Sequence, residues 1–172
     1  MCDHFGDNMR ELSFIAELPN VPAVYALYGG HKRRLYVAYV GIADKLKRRM
    51  IQHLVNRDSS IATGMSAVGI NPDYVTEVRW WEHPQFGERH VLEAAELVAF
   101  DVLDPALRSR GHIHSQARRL YADPKFNREM KLLFSSDQEG RLVLPTLQHA
   151  LERIAQVERR IEVLETKLVT EQ

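Results

Sequence analysis

Ala23-Val24-Tyr25-Ala26-Leu27-Tyr28 leads to Leu35-Tyr36-Val37-Ala38-Tyr39-Val40-Gly41, and then to Lys45-Leu46-Lys47-Arg48-Arg49-Met50-Ile51-Gln52-His53-Leu54. The first two runs are rich in β-branched and aromatic residues, the composition of strands. Gly29-Gly30 and a basic loop separate them, so 23–40 reads as a β-hairpin. In the third run Leu46, Met50, Ile51 and Leu54 share one face, which predicts an amphipathic helix over 43–55. Arg49 and His53 are four residues apart, so a helix sets them side by side. Two phenols, a guanidinium and an imidazole therefore converge locally, and these groups suit phosphodiester chemistry.

Working outward, Pro19-Asn20-Val21-Pro22 breaks a weakly helical 12–18 segment. Residues 56–72, rich in Ser, Gly, Asn and Thr, read as a loop with a helical turn near Ile61. Tyr74 to Trp81 alternates like a third strand, and Gly87 to Leu103 is a long helix stopped at Asp104-Pro105. This order predicts an α+β domain: a small three-stranded, mainly antiparallel sheet flanked by helices. Beyond Gly111, helices are expected over 114–120 and 125–134, divided by Asp123-Pro124, with a turn at 137–140. From 146 to 169 there is neither Gly nor Pro, and Leu147, Ala150, Ile154, Val157, Ile161, Leu164 and Leu168 recur at 3-4 spacing. That pattern predicts a long helix, roughly 36 Å at about 1.5 Å per residue, forming a parallel coiled-coil homodimer through 147–168. Four parts follow: an N-terminal extension (1–19), the main domain (20–111), a helical extension (112–144) and the C-terminal helix (145–172).

The 172 residues are 45% hydrophobic and 27% charged, as in an ordinary globular protein. The single cysteine, Cys2, supplies neither a disulfide framework nor a cysteine metal cluster. No signal-like or membrane-length apolar run is visible, and a cytoplasmic location is expected. Lys+Arg and Asp+Glu each number 23, which excludes a uniformly basic nucleic-acid binder. The distribution is nevertheless uneven. Between His31 and Arg57 eight Lys and Arg residues face Asp44 alone, and Arg108, Arg110, Arg118 and Arg119 form a second run. Lys45, Lys47, Arg48, Arg108 and Arg110 are the candidates for contact with nucleic acid. His112 and His114 lack partners at zinc-ligand spacing.

Residues 20–111 resemble the GIY-YIG nuclease family. Ala23-Val24-Tyr25 stands as the first motif and Tyr39-Val40-Gly41 as the second. Arg49 falls ten residues after the second tyrosine, His53 follows four later, and a helical glutamate precedes the helix-ending Pro105. Three positions depart from the family pattern. Ala23 stands for a glycine, Ile42 for a frequent lysine, and Arg108 occupies the place of an asparagine after Pro105. The resemblance implies a Mg²⁺- (or Mn²⁺-) dependent endonuclease. Tyr25 would contact or deprotonate the attacking water, and Tyr39 would position water or phosphate. Arg49 would hold phosphate, and His53 would assist Tyr25. The metal ligand would be Glu96, which has the family's spacing to Pro105, or Glu93, one helical turn earlier on the same face.

The expected function is therefore Mg²⁺-dependent hydrolysis of DNA phosphodiester bonds by Tyr25, Tyr39, Arg49, His53 and Glu96, with RNA left open as a substrate. The alternative is a degenerate copy of the fold, serving as a nucleic-acid or protein interaction module assembled through its coiled coil. The three departures and the zero net charge motivate that alternative.

Overall fold

In the computed structural model, residues 15–31, 34–55, 75–108, 112–144, 154–161 and 164 are described. Their elements run β1 (Ala23–His31), β2 (Arg34–Ala43), α1 (Leu46–Met50), a π-helical turn (Ile51–Val55), β3 (Val75–Trp81), a 3₁₀ turn (Pro84–Gly87), α2 (Arg89–Leu103), α3 (Ser115–Tyr121), α4 (Pro124–Ser135) and β4 (Gly140–Val143). The class is α+β, as expected. The sheet has four strands rather than three, in the order β2-β1-β3-β4 with every pairing antiparallel.

The fourth strand corrects the expected three-stranded sheet and takes Gly140 out of the turn expected over 137–140. Gly140 to Val143 is short, and Leu142 is its single buried apolar residue, so period-2 alternation has almost nothing to register. Gly140 is required by its neighbour, because a side chain there would run into the Trp80 ring. The predicted 43–55 helix also differs in form. Its α-helical part is Leu46–Met50, after which the backbone widens into the π turn.

Strand β1 is buried on both faces. Val24, Ala26 and Tyr28 pack with Val40, Trp81, Phe86 and the apolar faces of α2, α3 and α4. On the opposite face Ala23, Tyr25 and Leu27 pack with Ile15, Leu18, Tyr39, Leu46, Met50, Val75, Val78 and Leu142. The strand's side-chain alternation thus feeds two cores. Segment 112–144 belongs to the first of them through Ala117, Phe126, Met130 and Phe134, and it also supplies β4. Asp123 caps α4 by accepting from the backbone N–H groups of Lys125 and Phe126 at 2.8 and 3.0 Å.

Helix α2 ends at Asp104, whose φ of 43° is left-handed and turns the chain back. Ala106 and Leu107 then donate to the carbonyls of Val37 and Ala38 at 2.9 and 3.0 Å, covering part of the β2 edge. Of the expected C-terminal helix, residues 154–161 and 164 are helical, and Ile154, Val157, Ile161 and Leu164 are each about half exposed. The remainder of that helix, and the 56–72 loop with its turn near Ile61, lie outside the described residues. No helix among the described residues is long and apolar enough to cross a membrane.

Met130 is fully buried where α4 meets α2. Met130→Ala should cost about 2–5 kcal/mol and lower the urea midpoint in one transition, seen alike by far-UV circular dichroism and tryptophan fluorescence. Two separated transitions would mean that 112–144 folds apart from the sheet.

Candidate active site where two layers meet

Gly41 stands opposite Tyr25 in the β1–β2 pairing. A Cβ on Gly41 would lie 2.6 Å from Tyr39 Cε1, 2.7 Å from the Tyr39 hydroxyl and 2.8 Å from the Tyr25 hydroxyl. Only a glycine leaves room for both phenols on this face of the sheet. The two rings are 6.0 Å apart between centroids, and His53 stacks obliquely 5.9 Å from Tyr25 and 6.3 Å from Tyr39. Tyr25 and His53 are joined by a buried hydrogen bond of 2.7 Å between the phenolic oxygen and Nε2.

The π turn delivers that imidazole. Such widened turns are frequent at functional sites, and here the turn still keeps His53 beside Arg49. Burial, and next the positive charge of Arg49, lower the His53 pKa from its usual 6.5 to about 3, so its ring is neutral near pH 7. Burial and the neighbouring Tyr39 phenol raise Tyr25 well above the ordinary phenol range, against the opposing pull of Arg49. At rest, then, the pair is a protonated phenol against a neutral imidazole.

Glu93 and Glu96 both occur on α2, and their surroundings separate them. Glu93 is engaged on both oxygens, by the His114 backbone N–H at 3.1 Å, by His114 Nδ1 at 2.8 Å and by Arg89 Nε at 3.0 Å. Burial alone would raise its pKa, but the hydrogen bonds from His114 and Arg89 outweigh that and lower it. Glu96 makes no hydrogen bond or ion pair among the described residues. Burial, with Glu93 adding, raises its pKa from 4.5 to about 7 against the attraction of Arg89 and Arg49. It also acts electrostatically on Tyr25. Of the two carboxylates, Glu96 has the open donor oxygens, and Glu93 is committed to holding His114 and Arg89.

Beside this group lies an open pocket of about 460 Å³, lined by Ile42, Ala43, Asp44, Lys45, Arg48, Arg49, Gln52 and Arg89. It occupies the gap where α1 from one layer and the start of α2 from the other meet at the end of β2. Arg49 donates Nη1 to Gln52 Oε1 at 3.3 Å, and its buried Nε has no partner among the described residues.

Among the residues expected from the sequence, Tyr25, Tyr39, Arg49, His53 and Glu96 are brought together, and Lys45 and Arg48 line the adjoining pocket. Lys47 points elsewhere, donating to the Ala16 carbonyl at 3.2 Å. Arg108 is tied to the end of α2, through Asp104 at 3.0 Å and the Phe100 carbonyl at 3.4 Å. Arg110 lies outside the described residues. Arg89, Gln52 and the Glu93–His114 link were missed. Arg89 could have been found: Arg89, Glu93 and Glu96 follow i, i+4, i+7, one stripe of the same helix.

The shifts at His53 and Glu96 oppose each other in their effect on stability. His53 is depressed, so its contribution is complete above pH 6.5 and is lost as pH falls toward 3. Glu96 is raised, so its contribution is complete below pH 4.5 and is lost as pH rises toward 7. Between pH 5.5 and 6.5 the two slopes nearly cancel. Glu96→Gln should expose the His53 slope, about 1.4 kcal/mol per pH unit, in urea titrations with chelator present. A variant whose stability varies with pH just as the parent's does would contradict these assignments. No protein-family model, curated protein or solved structure matches this chain.

Proposed function

We propose that the protein is a Mg²⁺- or Mn²⁺-dependent DNA endonuclease of GIY-YIG type, hydrolysing one phosphodiester bond at the Tyr25–His53–Arg49–Glu96 group. The observation that carries this reading is the buried Tyr25–His53 hydrogen bond with Tyr39, Arg49 and an unengaged carboxylate around it. Local spacing singles out Tyr25, Tyr39, Arg49 and His53, the resemblance adds Glu96, and the electrostatic influence of both Arg49 and Glu96 on Tyr25 supports the reading.

The donor chemistry suits a hard divalent cation. Glu96 offers carboxylate oxygens without a partner among the described residues, and no group of three or more His, Cys, Asp or Glu suitable for a metal exists among them. One carboxylate plus water molecules is a ligand set that Mg²⁺ accepts. Once bound at Glu96, the ion would supply charge neutralisation at the phosphoryl group and at the departing 3′-oxygen.

The chain's own groups account for the rest. Arg49 presents a planar fork of donors to the phosphoryl oxygens. Tyr39 orients water or phosphate through its hydroxyl. Tyr25 takes the proton of the attacking water while its own proton passes to Nε2 of neutral His53. His53 is a weak base at rest because of burial and Arg49. When Arg49 pairs with an anionic phosphate, the second of those effects is offset and His53 becomes a better proton acceptor.

In a plasmid-nicking assay, activity should vanish with chelator and return with Mg²⁺. Glu96→Gln should abolish cutting while leaving the fold and DNA affinity intact, and Arg49→Ala should slow it by about 10²–10³. Wild-type protein that shows no metal-dependent cutting of DNA or RNA would remove the nuclease reading and favour the interaction-module alternative.

The exposed apolar stripe of Ile154, Val157, Ile161 and Leu164 supports self-association as a parallel coiled coil. A symmetric pair would place two sites on the two strands of one duplex. Light scattering should report a dimer for the parent and a monomer for Val157→Glu/Ile161→Glu. A monomeric parent would exclude this assembly.

A further inference from the structure

Besides Arg49, the pocket at the end of β2 has donors that the cutting chemistry leaves unused. Arg89 enters from the first turn of α2 with a side chain 54% exposed. Its Nε is held at 3.0 Å by Glu93, whose oxygens are themselves fixed by His114. Its Nη1 makes a long 3.5 Å contact with Asp44, a carboxylate 75% exposed. Its Nη2 has no partner among the described residues. Arg89 is thus strapped at its base and open at its tip, and a weak solvent-exposed contact of this kind is easily exchanged. From the α1 side come Lys45, Arg48, the Gln52 amide and the unpartnered Nε of Arg49. Among the described lining residues, four cations share the pocket with one carboxylate, Asp44.

We propose that this pocket is a subsite for a second backbone phosphate of the bound DNA strand, adjacent to the phosphate being cut, with Arg89 as its principal grip. Position supports this, since Arg89 lines the same pocket as Arg49, the residue assigned to the phosphate being cut. Lining chemistry supports it too. Pockets for free small molecules are mostly apolar with a few polar anchors, whereas this one is charged, and Ile42 and Ala43 are its apolar residues. Among the described residues that line it there is no aromatic ring on which a base could stack. The subsite therefore holds the backbone and sets its register without reading bases. When phosphate arrives, Arg89 exchanges Asp44 for it while keeping Glu93.

This inference rests on the nuclease reading for the word "adjacent" alone, and binding tests it separately. The probe is a short fluorescent DNA duplex titrated in EDTA over a series of salt concentrations, with inorganic phosphate as a competing arm. Arg89→Gln should weaken the duplex about ten-fold or more and lower the salt slope by about 0.9. Arg89→Lys should keep most of the slope while losing affinity, because charge is retained and the fork is not. Arg48→Gln, on an exposed rim residue, should also lower the slope and guards against a folding defect in the Arg89 variants. Unchanged affinity and slope in both the Arg89→Gln and Arg48→Gln proteins would overturn the proposal. So would an Arg89→Gln defect in inorganic phosphate binding that leaves DNA binding unaltered. Arg89-dependent binding by a wild-type protein that never cuts would retire the nuclease and keep the subsite. Full cutting and binding by Arg89→Gln would do the reverse.

Discussion

Strand β1 lies between two cores, and the chemistry of the site follows from that burial. A tyrosine at an inner position of such a strand must find a partner for its hydroxyl, since a buried polar group left unpaired costs about 1–3 kcal/mol. Tyr25 finds it in His53, a residue that is itself 2% exposed. To bring the imidazole there, the chain after β2 turns into α1 and then widens, which also carries Arg49 to the same place. The absence of a side chain at Gly41 completes the arrangement, because it is the gap through which both phenols reach the helix. One buried hydrogen bond thus joins the hairpin, the helix and the reacting groups.

Low polarity around these groups shapes the charges they carry. His53 is neutral, Tyr25 holds its proton, and Glu96 sits near its midpoint at neutral pH. In the neighbouring pocket the side chains of Lys45, Arg48 and Arg89 reach water. The resting site is accordingly short of negative charge on both sides of Glu96, a condition that the proposed phosphate would relieve. The protein's overall neutrality hides this, because acidic residues elsewhere balance the local excess.

The hairpin, the third strand and the helices from Arg89 to Ser135 were legible because their apolar residues repeat with clean periods and their ends carry Gly, Pro or Asp. β4 was not legible, since a four-residue strand with one buried apolar side chain has no period to detect. The π turn was invisible for another reason: Ile51 and Leu54 suit an α-helix equally well, and the His53–Tyr25 bond made from this turn joins residues 28 apart in the chain. At the site, local spacing brought out Tyr25, Tyr39, Arg49 and His53, and the family resemblance narrowed the carboxylate to two residues one helical turn apart. Choosing between Glu93 and Glu96 required the position of His114, which is 21 residues from Glu93 in the chain. No local pattern could report that contact. Arg108 and Lys47 misled because charge in a sequence does not show whether a carbonyl or carboxylate already holds it.

The backbone bonds from Ala106 and Leu107 to Val37 and Ala38 have a meaning for how this chain can vary. They pin the end of α2 to the strand that carries Tyr39, within four residues of the helix's last turn. An insertion or deletion between Leu103 and Leu107 would slide Glu96 along or away from the tyrosines by the rise of each added or lost residue, about 1.5 Å in a helix. Insertions at a tip such as the turn before Gly140 would leave that separation untouched. Chain length in the short connection after α2 is therefore as much a part of the site as any side chain in it, and related proteins that keep this chemistry should keep that length.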